Sequence, residues 1–325
     1  MISVPRVRDT LETHQIPVYL LAVAAGFAIA FTVPDATGFE DAINPALALM
    51  LFATFLQLPV ASMRRAIGHG RFIAALLVAN FIAVPLLVAL AFPLLPGDPL
   101  IRIGVLFVLL CPCIDYVVTF SQLGKADASL LLAATPILLG LQLLLLPLYL
   151  ALFMGAEATG LVEPGPFLHA FAWLIVVPFA LAATLQAAAK RSPIAARATT
   201  WAGLLPVPAT ALVLTVVIAA VVPQLGLALP AASSVLPVYV AFALVAPLAG
   251  IAIARGFGLV APATRAIAFS TGTRNSLVVL PLALAIPGAL PVVPAVVVTQ
   301  TLVELLAMLA YIKLIPRIVP SRRQA

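Results

Sequence analysis

Ten long, nearly uncharged apolar stretches dominate this chain, near residues 17–34, 44–63, 72–95, 102–123, 129–154, 166–189, 202–222, 232–254, 262–286 and 293–315. A hydrocarbon layer about 30 Å thick is crossed by roughly 20 helical residues. In lipid an isolated segment must satisfy its own backbone hydrogen bonds, which a helix does. Each stretch therefore predicts a transmembrane helix, and together they use most of the 325 residues. Only 9% of the residues are charged, against about 25% in a soluble domain, so a soluble fold is excluded. The expected fold is all-α and integral to the membrane, with about ten spans in a single transporter domain over 1–325. The first stretch follows Arg6 and Arg8 across a polar spacer, Asp9–Gln15, with no convincing cleavage site, and reads as a retained helix. The connections are too short for a nucleotide-binding or catalytic domain. Energy must come from a gradient or a separate partner; the sequence requires neither an ATPase subunit nor a cofactor.

Charge placement orients the spans. Arg6, Arg8, Arg64, Arg65, Arg71, Lys125, Lys190, Arg191, Arg197, Arg255, Arg265, Lys313, Arg317, Arg322 and Arg323 all fall on one side of the expected topology. The opposite connections carry Asp35, Glu40, Asp41, Asp98, Glu157 and Glu163, with Arg102 as their single basic residue. The positive-inside rule then puts both termini in the cytoplasm of a cell bounded by an inner or plasma membrane. The net charge of +6 is topological, and no nucleic-acid partner is expected.

An internal repeat follows from shifting the sequence by about 160 residues. Pro45-Ala-Leu-Ala-Leu49 falls over Pro208-Ala-Thr-Ala-Leu212, Pro85-Leu86 over Pro247-Leu248, and the polar break Cys111–Asp115 over Thr271–Asn275. Five spans per half, 1–160 and 161–325, make the second half inverted. Inverted repeats with interrupted helices meeting near the midplane are a way to build a secondary transporter's site. The fourth and ninth spans are therefore expected to be broken and to cross.

Ionisable side chains in hydrocarbon are costly and mark function by default. Three fall within spans: Asp115, Arg274 and Glu304. Asp115 and Arg274 lie in the matching breaks and could pair, either for chemistry or simply to lock the crossing. Glu304, in Thr299-Gln-Thr-Leu-Val-Glu304, has no obvious basic partner and is a candidate proton carrier; the plainer alternative is a hydrogen-bonded carboxylate facing water. Cys111-Pro112-Cys113 sets two thiols beside a helix-breaking proline. Buried cysteine is often mere apolar filler, but thiolate is what soft ions seek. The two cysteines offer no disulfide framework, and the three histidines are too scattered for a metal cage. Asn80 and Gln142 are read as interhelical hydrogen-bond links.

These motifs resemble the bile acid/sodium symporter superfamily and, within it, the arsenite-efflux permeases. Cys111-Pro112, Gly124-Lys-Ala-Asp127 and Leu145-Leu-Pro-Leu-Tyr149 are similar to the superfamily's fourth and fifth spans. Asn80-Phe-Ile-Ala-Val-Pro85 resembles the third span of the arsenite branch, and Thr271-Gly-Thr-Arg-Asn275-Ser the broken ninth helix. The arsenite permeases carry a Cys-Ile in the fourth span and a glutamate after Leu-Val in the tenth, and Cys113-Ile114 and Leu302-Val303-Glu304 match these. Where the symporters have a sodium-binding glutamine, this chain has Arg274. Where the arsenite pattern continues Ala-Met, it has Asp115-Tyr116.

The resemblance implies efflux of arsenite or antimonite in exchange for protons. Cys113 would engage the metalloid, Glu304 would carry the proton, and Asp115, Arg274, Asn275, Cys111, Asn80 and Thr271 would shape the site. A carrier of an organic anion, its carboxylate held by Arg274, is the alternative. An intramembrane enzyme is disfavoured, because no Gly-x-Gly-Asp or His-Glu-x-x-His signature is present and Asp115 has no second membrane aspartate.

Overall fold

The structure, a computed structural model, describes residues 4–33, 36–57, 68–114, 116–155, 169 and 172–321. Asp115 and residues 58–67 and 156–168 lie outside the described residues. The chain is helical, in the order α1 Val4–Thr13, α2 Gln15–Thr32, α3 Glu40–Leu56, α4 Gly70–Leu94, α5 Pro99–Leu109, α6 Val117–Leu123, α7 Ala128–Met154, α8 Val177–Ala189, α9 Pro193–Ala202, α10 Pro206–Val221, α11 Leu225–Gly256, α12 Ala261–Gly272, α13 Ser276–Leu284 and α14 Val292–Ile318. Among these, α2, α4, α7, α11 and α14 are each long and apolar enough to cross a membrane, and α9 with α10 forms a further candidate bent by 45°. The shorter α5 and α8 are also apolar.

Local chemistry sets several of these ends. Asp98 caps α5, its Oδ1 accepting the Leu100 and Ile101 N–H groups at 2.8 and 3.4 Å, while Pro99 occupies the first turn, where its missing donor costs nothing. Asp127 caps α7 through the Leu130 N–H at 3.2 Å. Ser192 caps α9, so the basic connection after the sixth apolar stretch is itself helical. The expected polar spacer near the N-terminus is likewise helical, α1 carrying the Arg8–Glu12 pair at 2.7 Å one turn apart.

The chain divides into two compact units, one of Met1–Gln57, Val162–Leu229 and Leu280–Ala295, the other of Leu58–Leu161, Pro230–Val279 and Val296–Ala325. In the first, α10 packs on α2 and α3, and α8 packs on α3 and α9. Gln186 of α8 donates to the Phe55 and Leu56 carbonyls at 3.3 and 2.9 Å, at the C-terminal end of α3. Gly26 allows α2 to lie directly on α10: a Cβ there would stand 2.8 Å from Ile218 Cβ and 2.9 Å from the Thr215 carbonyl oxygen. Thr215 in turn donates to the Ala22 carbonyl at 3.1 Å.

The second unit holds both breaks. The fourth apolar stretch is helical as α5 and α6 with residues 110–116 between them, and the ninth as α12 and α13 with the break at Thr273–Asn275. One consequence of the packing in the first unit is testable: Gly26→Val should destabilise the protein by about 1–3 kcal/mol, the range for overpacking a close contact, read as a lowered melting temperature of the purified chain. An unchanged melting temperature would show that α2 and α10 do not meet at Gly26.

Candidate functional site

The broken segments meet through their backbones. Pro112 forms an antiparallel bridge with Arg274. The Cys113 N–H donates to the Thr273 carbonyl at 3.3 Å, and the Asn275 N–H donates to the Cys111 carbonyl at 2.8 Å. Thr273 is extended, with φ −119° and ψ 137°, which ends α12 and turns its groups outward to the partner segment. The two expected breaks are therefore brought together, with Pro112 and Arg274 162 residues apart, the offset of the Pro85/Pro247 match, where the aligned breaks suggested 160.

That spacing recurs one layer away. Pro85 has no N–H to give to the Phe81 carbonyl four residues earlier, and the Tyr149 hydroxyl donates to that carbonyl at 2.7 Å. Pro247 stands in the same relation to Ala243, whose carbonyl accepts from the Tyr311 hydroxyl. Phe81 and Ala243, Pro85 and Pro247, and Tyr149 and Tyr311 are each 162 residues apart. A helix-bending proline is thus satisfied by a tyrosine from another helix in both halves of the sequence.

Arg274 is fully buried. Its Nη2 donates to Asn80 Oδ1 at 2.8 Å, to the Ser270 carbonyl at 2.5 Å and to the Thr271 carbonyl at 3.0 Å, while Nη1 reaches the Leu109 carbonyl at 3.4 Å. The guanidinium also stands over the Phe242 ring, 5.6 Å from its centroid. Among the described residues its oxygen partners are neutral. Asn80 lies in a π turn of α4, Ala79–Ala83, and its amide also donates to the Leu76 carbonyl at 3.1 Å and to Ser270 Oγ at 3.0 Å. The expected interhelical link is here a ligand of the buried cation.

Glu304 is 2% exposed and is held by three donors. Tyr116 donates its hydroxyl to Oε1 at 2.7 Å, while Oε2 accepts the Arg274 backbone N–H at 2.7 Å and Gln300 Nε2 at 2.5 Å. A carboxylate on α14 thus grips the main chain of the broken ninth stretch. The Ser276 and Thr301 hydroxyls share a further bond of 2.8 Å between the same two segments. Gly272 permits this approach, since a Cβ there would meet Tyr311 and Pro247 at 2.8 and 2.9 Å.

Of the expected site residues, Cys111, Cys113, Thr271, Arg274, Asn275, Asn80 and Glu304 are all buried in this unit. Neither cysteine is in a disulfide. Thr271 turns its hydroxyl back onto the Ile267 and Ala268 carbonyls of its own helix, so it contributes a carbonyl, not a hydroxyl, to the site. Arg274 Nε, Asn275 Nδ2 and Gln300 Oε1 are buried without a partner among the described residues. Asp115, expected beside Arg274, is outside the described residues. The expectation for Gln142 is corrected: it is buried, yet neither amide atom has a hydrogen-bond partner among the described residues, so it links no helices. Tyr116, Gln300, Ser270 and Phe242 were not anticipated. Gln300 and Ser270 carried a usable signal, each standing four residues before the charged residue it serves, whereas Phe242 is joined to Arg274 by folding alone. No three His, Cys, Asp or Glu side chains among the described residues gather closely enough to hold a metal ion.

Long apolar helices and two interrupted ones joined through a buried polar crossing define a multi-pass membrane transporter. Residues 44–222 match the model of the Sodium Bile acid symporter family, more than half of the chain, which therefore belongs to that family. No curated protein shows significant sequence similarity to it.

The proline–tyrosine contacts give a test of this geometry. Tyr149→Phe should lower stability by roughly 0.6–1.7 kcal/mol, the scale of side-chain hydrogen bonds within membranes. Adding Pro85→Ala, which restores a backbone donor to Phe81, should recover most of the loss. A double variant no more stable than Tyr149→Phe would show that the tyrosine does not serve that carbonyl.

Proposed function

We propose that this transporter exports a trivalent metalloid oxyacid, arsenite or antimonite, in exchange for protons. In this reading it consists of about ten spans in two inverted five-helix halves, in the cytoplasmic membrane with both termini cytoplasmic. The observation that carries the proposal is the hold of Glu304 on the backbone of the broken ninth stretch: its Oε2 accepts the Arg274 N–H at 2.7 Å. A proton taken up on Oε2 turns that oxygen from acceptor to donor and removes a bond from the crossing. Proton binding and movement of the crossing are thereby the same event, which is what coupled alternating access requires. Cys113, whose own N–H is part of the bridge, is the soft ligand for the metalloid. At neutral pH arsenous acid is uncharged, so it enters a buried site without needing a counter-charge.

Arg274 argues for protons over sodium in this member of the family. A small alkali cation binds where several neutral oxygens converge, and at this crossing the converging oxygens of Asn80, Ser270 and Thr271 already surround a guanidinium nitrogen at 2.5–3.0 Å. The same engagement weighs against Arg274 as the receptor for a substrate carboxylate. The family match nonetheless favours a second reading, an organic-anion carrier in which the unpartnered Nε of Arg274 faces the solute.

Uptake of arsenite into everted vesicles under a proton gradient separates the two. Cys113→Ser and Glu304→Gln should each reduce initial rates at least about tenfold, a loss of roughly 1.4 kcal/mol in transport-competent interaction, while Cys111→Ser retains most activity. Unchanged rates in both Cys113→Ser and Glu304→Gln would overturn the metalloid–proton assignment. Taurocholate uptake abolished by Arg274→Gln but indifferent to Cys113→Ala would establish the organic-anion reading.

A further inference from the structure

The 162-residue relation that unites the two halves of the crossing does not carry over the side-chain chemistry around Glu304, and the difference is informative. The counterpart of Glu304 is Gln142 on α7. Gln142 is 1% exposed, on the buried face that also carries Thr135, Leu138, Leu139 and Leu146. Helix α7 packs against α5, α6 and α12, the helices that flank the bridge. Glu304 is satisfied by three donors, and each has a counterpart that cannot donate. For the Arg274 N–H it is Pro112, which has none; for Gln300 it is Leu138; for the Tyr116 hydroxyl it is Val278. Among the described residues Gln142 has no partner for either its amide oxygen or its amide nitrogen.

A buried primary amide with neither atom bonded is destabilising, and leucine, of similar volume, would remove the penalty. Polar groups kept at such a cost within membranes are functional by default. With counterparts that cannot donate in place of donors, and no partner among the described residues, the amide is available to something that arrives and leaves. We infer that Gln142 is a solute-contacting residue, and that the solute is a small uncharged hydroxylated acid. An amide offers one donor and one acceptor side by side and no charge. It matches two hydroxyls on one centre, one donating to Oε1 while the lone pair of the other accepts from Nε2, and it offers nothing to balance an anion. Asn275 Nδ2, buried and unpartnered one residue beyond the bridge, is a second donor of the same kind. Glu304 and Gln142 are then equivalent positions with divided roles, one for the proton and one for the cargo.

This inference rests on the transport reading but not on the metalloid. Its test uses the full-length chain with Gln142→Leu, arsenite and boric acid as uncharged trihydroxy probes, and taurocholate as the anionic one. Gln142→Leu should raise the melting temperature in detergent, because the unpartnered amide is gone. It should also raise the KM for arsenite in everted vesicles at least about tenfold with little change in maximal rate, the signature of lost solute contact. A site built around a hydrogen-bonded hydroxyl loses affinity steeply when one partner is removed. A lowered melting temperature in Gln142→Leu overturns the inference, since the amide would then be structurally partnered. So does an arsenite KM equal to wild type. Wild-type transport of boric acid without arsenite sinks the metalloid assignment and leaves Gln142 standing; transport of taurocholate alone sinks both. A binding arm independent of transport completes the test: arsenite or boric acid should raise the wild-type melting temperature but not that of Gln142→Leu, and no shift from either probe in wild type counts against it.

Discussion

Inside a membrane, a polypeptide that leaves the helical conformation must find partners for its exposed N–H and C=O groups in another segment, because no water is at hand. Here two segments do so for each other. Residues 111–113 and 273–275 exchange a pair of backbone hydrogen bonds around the Pro112–Arg274 bridge, and neither break is tenable without its mate. The polar residues of the second unit are arranged around this exchange. Arg274 is placed by it, Asn80 and the Ser270 and Thr271 carbonyls surround the guanidinium, and Glu304 accepts the N–H of the same arginine.

The same accounting explains the prolines. Each of Pro85 and Pro247 leaves a carbonyl without its usual donor, and a tyrosine hydroxyl fills the vacancy in both cases. Side-chain hydrogen bonds of this kind are individually modest. They matter because the alternative, an unpaired carbonyl in a dry interior, costs more than the bond is worth. Close approach of the helices is provided by glycine: Gly272 beside Tyr311 and Pro247, and Gly124 beside the Phe269 ring.

Charge in this crossing is organised without an ion pair among the described residues other than the exposed Arg8–Glu12. Arg274 is neutralised by dipoles, namely three carbonyls and an amide, and Glu304 by N–H and O–H donors. In the proposed mechanism Glu304 exchanges a proton and releases the Arg274 backbone N–H, while the guanidinium keeps its own hydrogen bonds to Asn80, Ser270 and Thr271.

Much of this was legible in the sequence and some of it could not have been. Apolar length located the helices because the membrane constraint acts on each segment locally. Cys111-Pro112-Cys113 and Thr271–Asn275 marked the breaks because proline, glycine and polar residues interrupt an apolar run wherever they stand. The isolation of Arg274 and Glu304 within apolar runs likewise marked them as functional. Their partners were hidden: Asn80 lies 194 residues from Arg274, and Tyr116 lies 188 from Glu304. Gln142 looked like any other polar residue on a helix, and only the fold showed that it is buried with no hydrogen-bond partner among the described residues, where Glu304 receives three donors. The sequence by itself determined which segments are apolar enough for a membrane and where two of them break, since both follow from local composition against a fixed solvent. Which polar atom meets which, and which is left waiting, was decided by the tertiary structure, because hydrogen-bond partners are chosen by proximity in space and not by order along the chain.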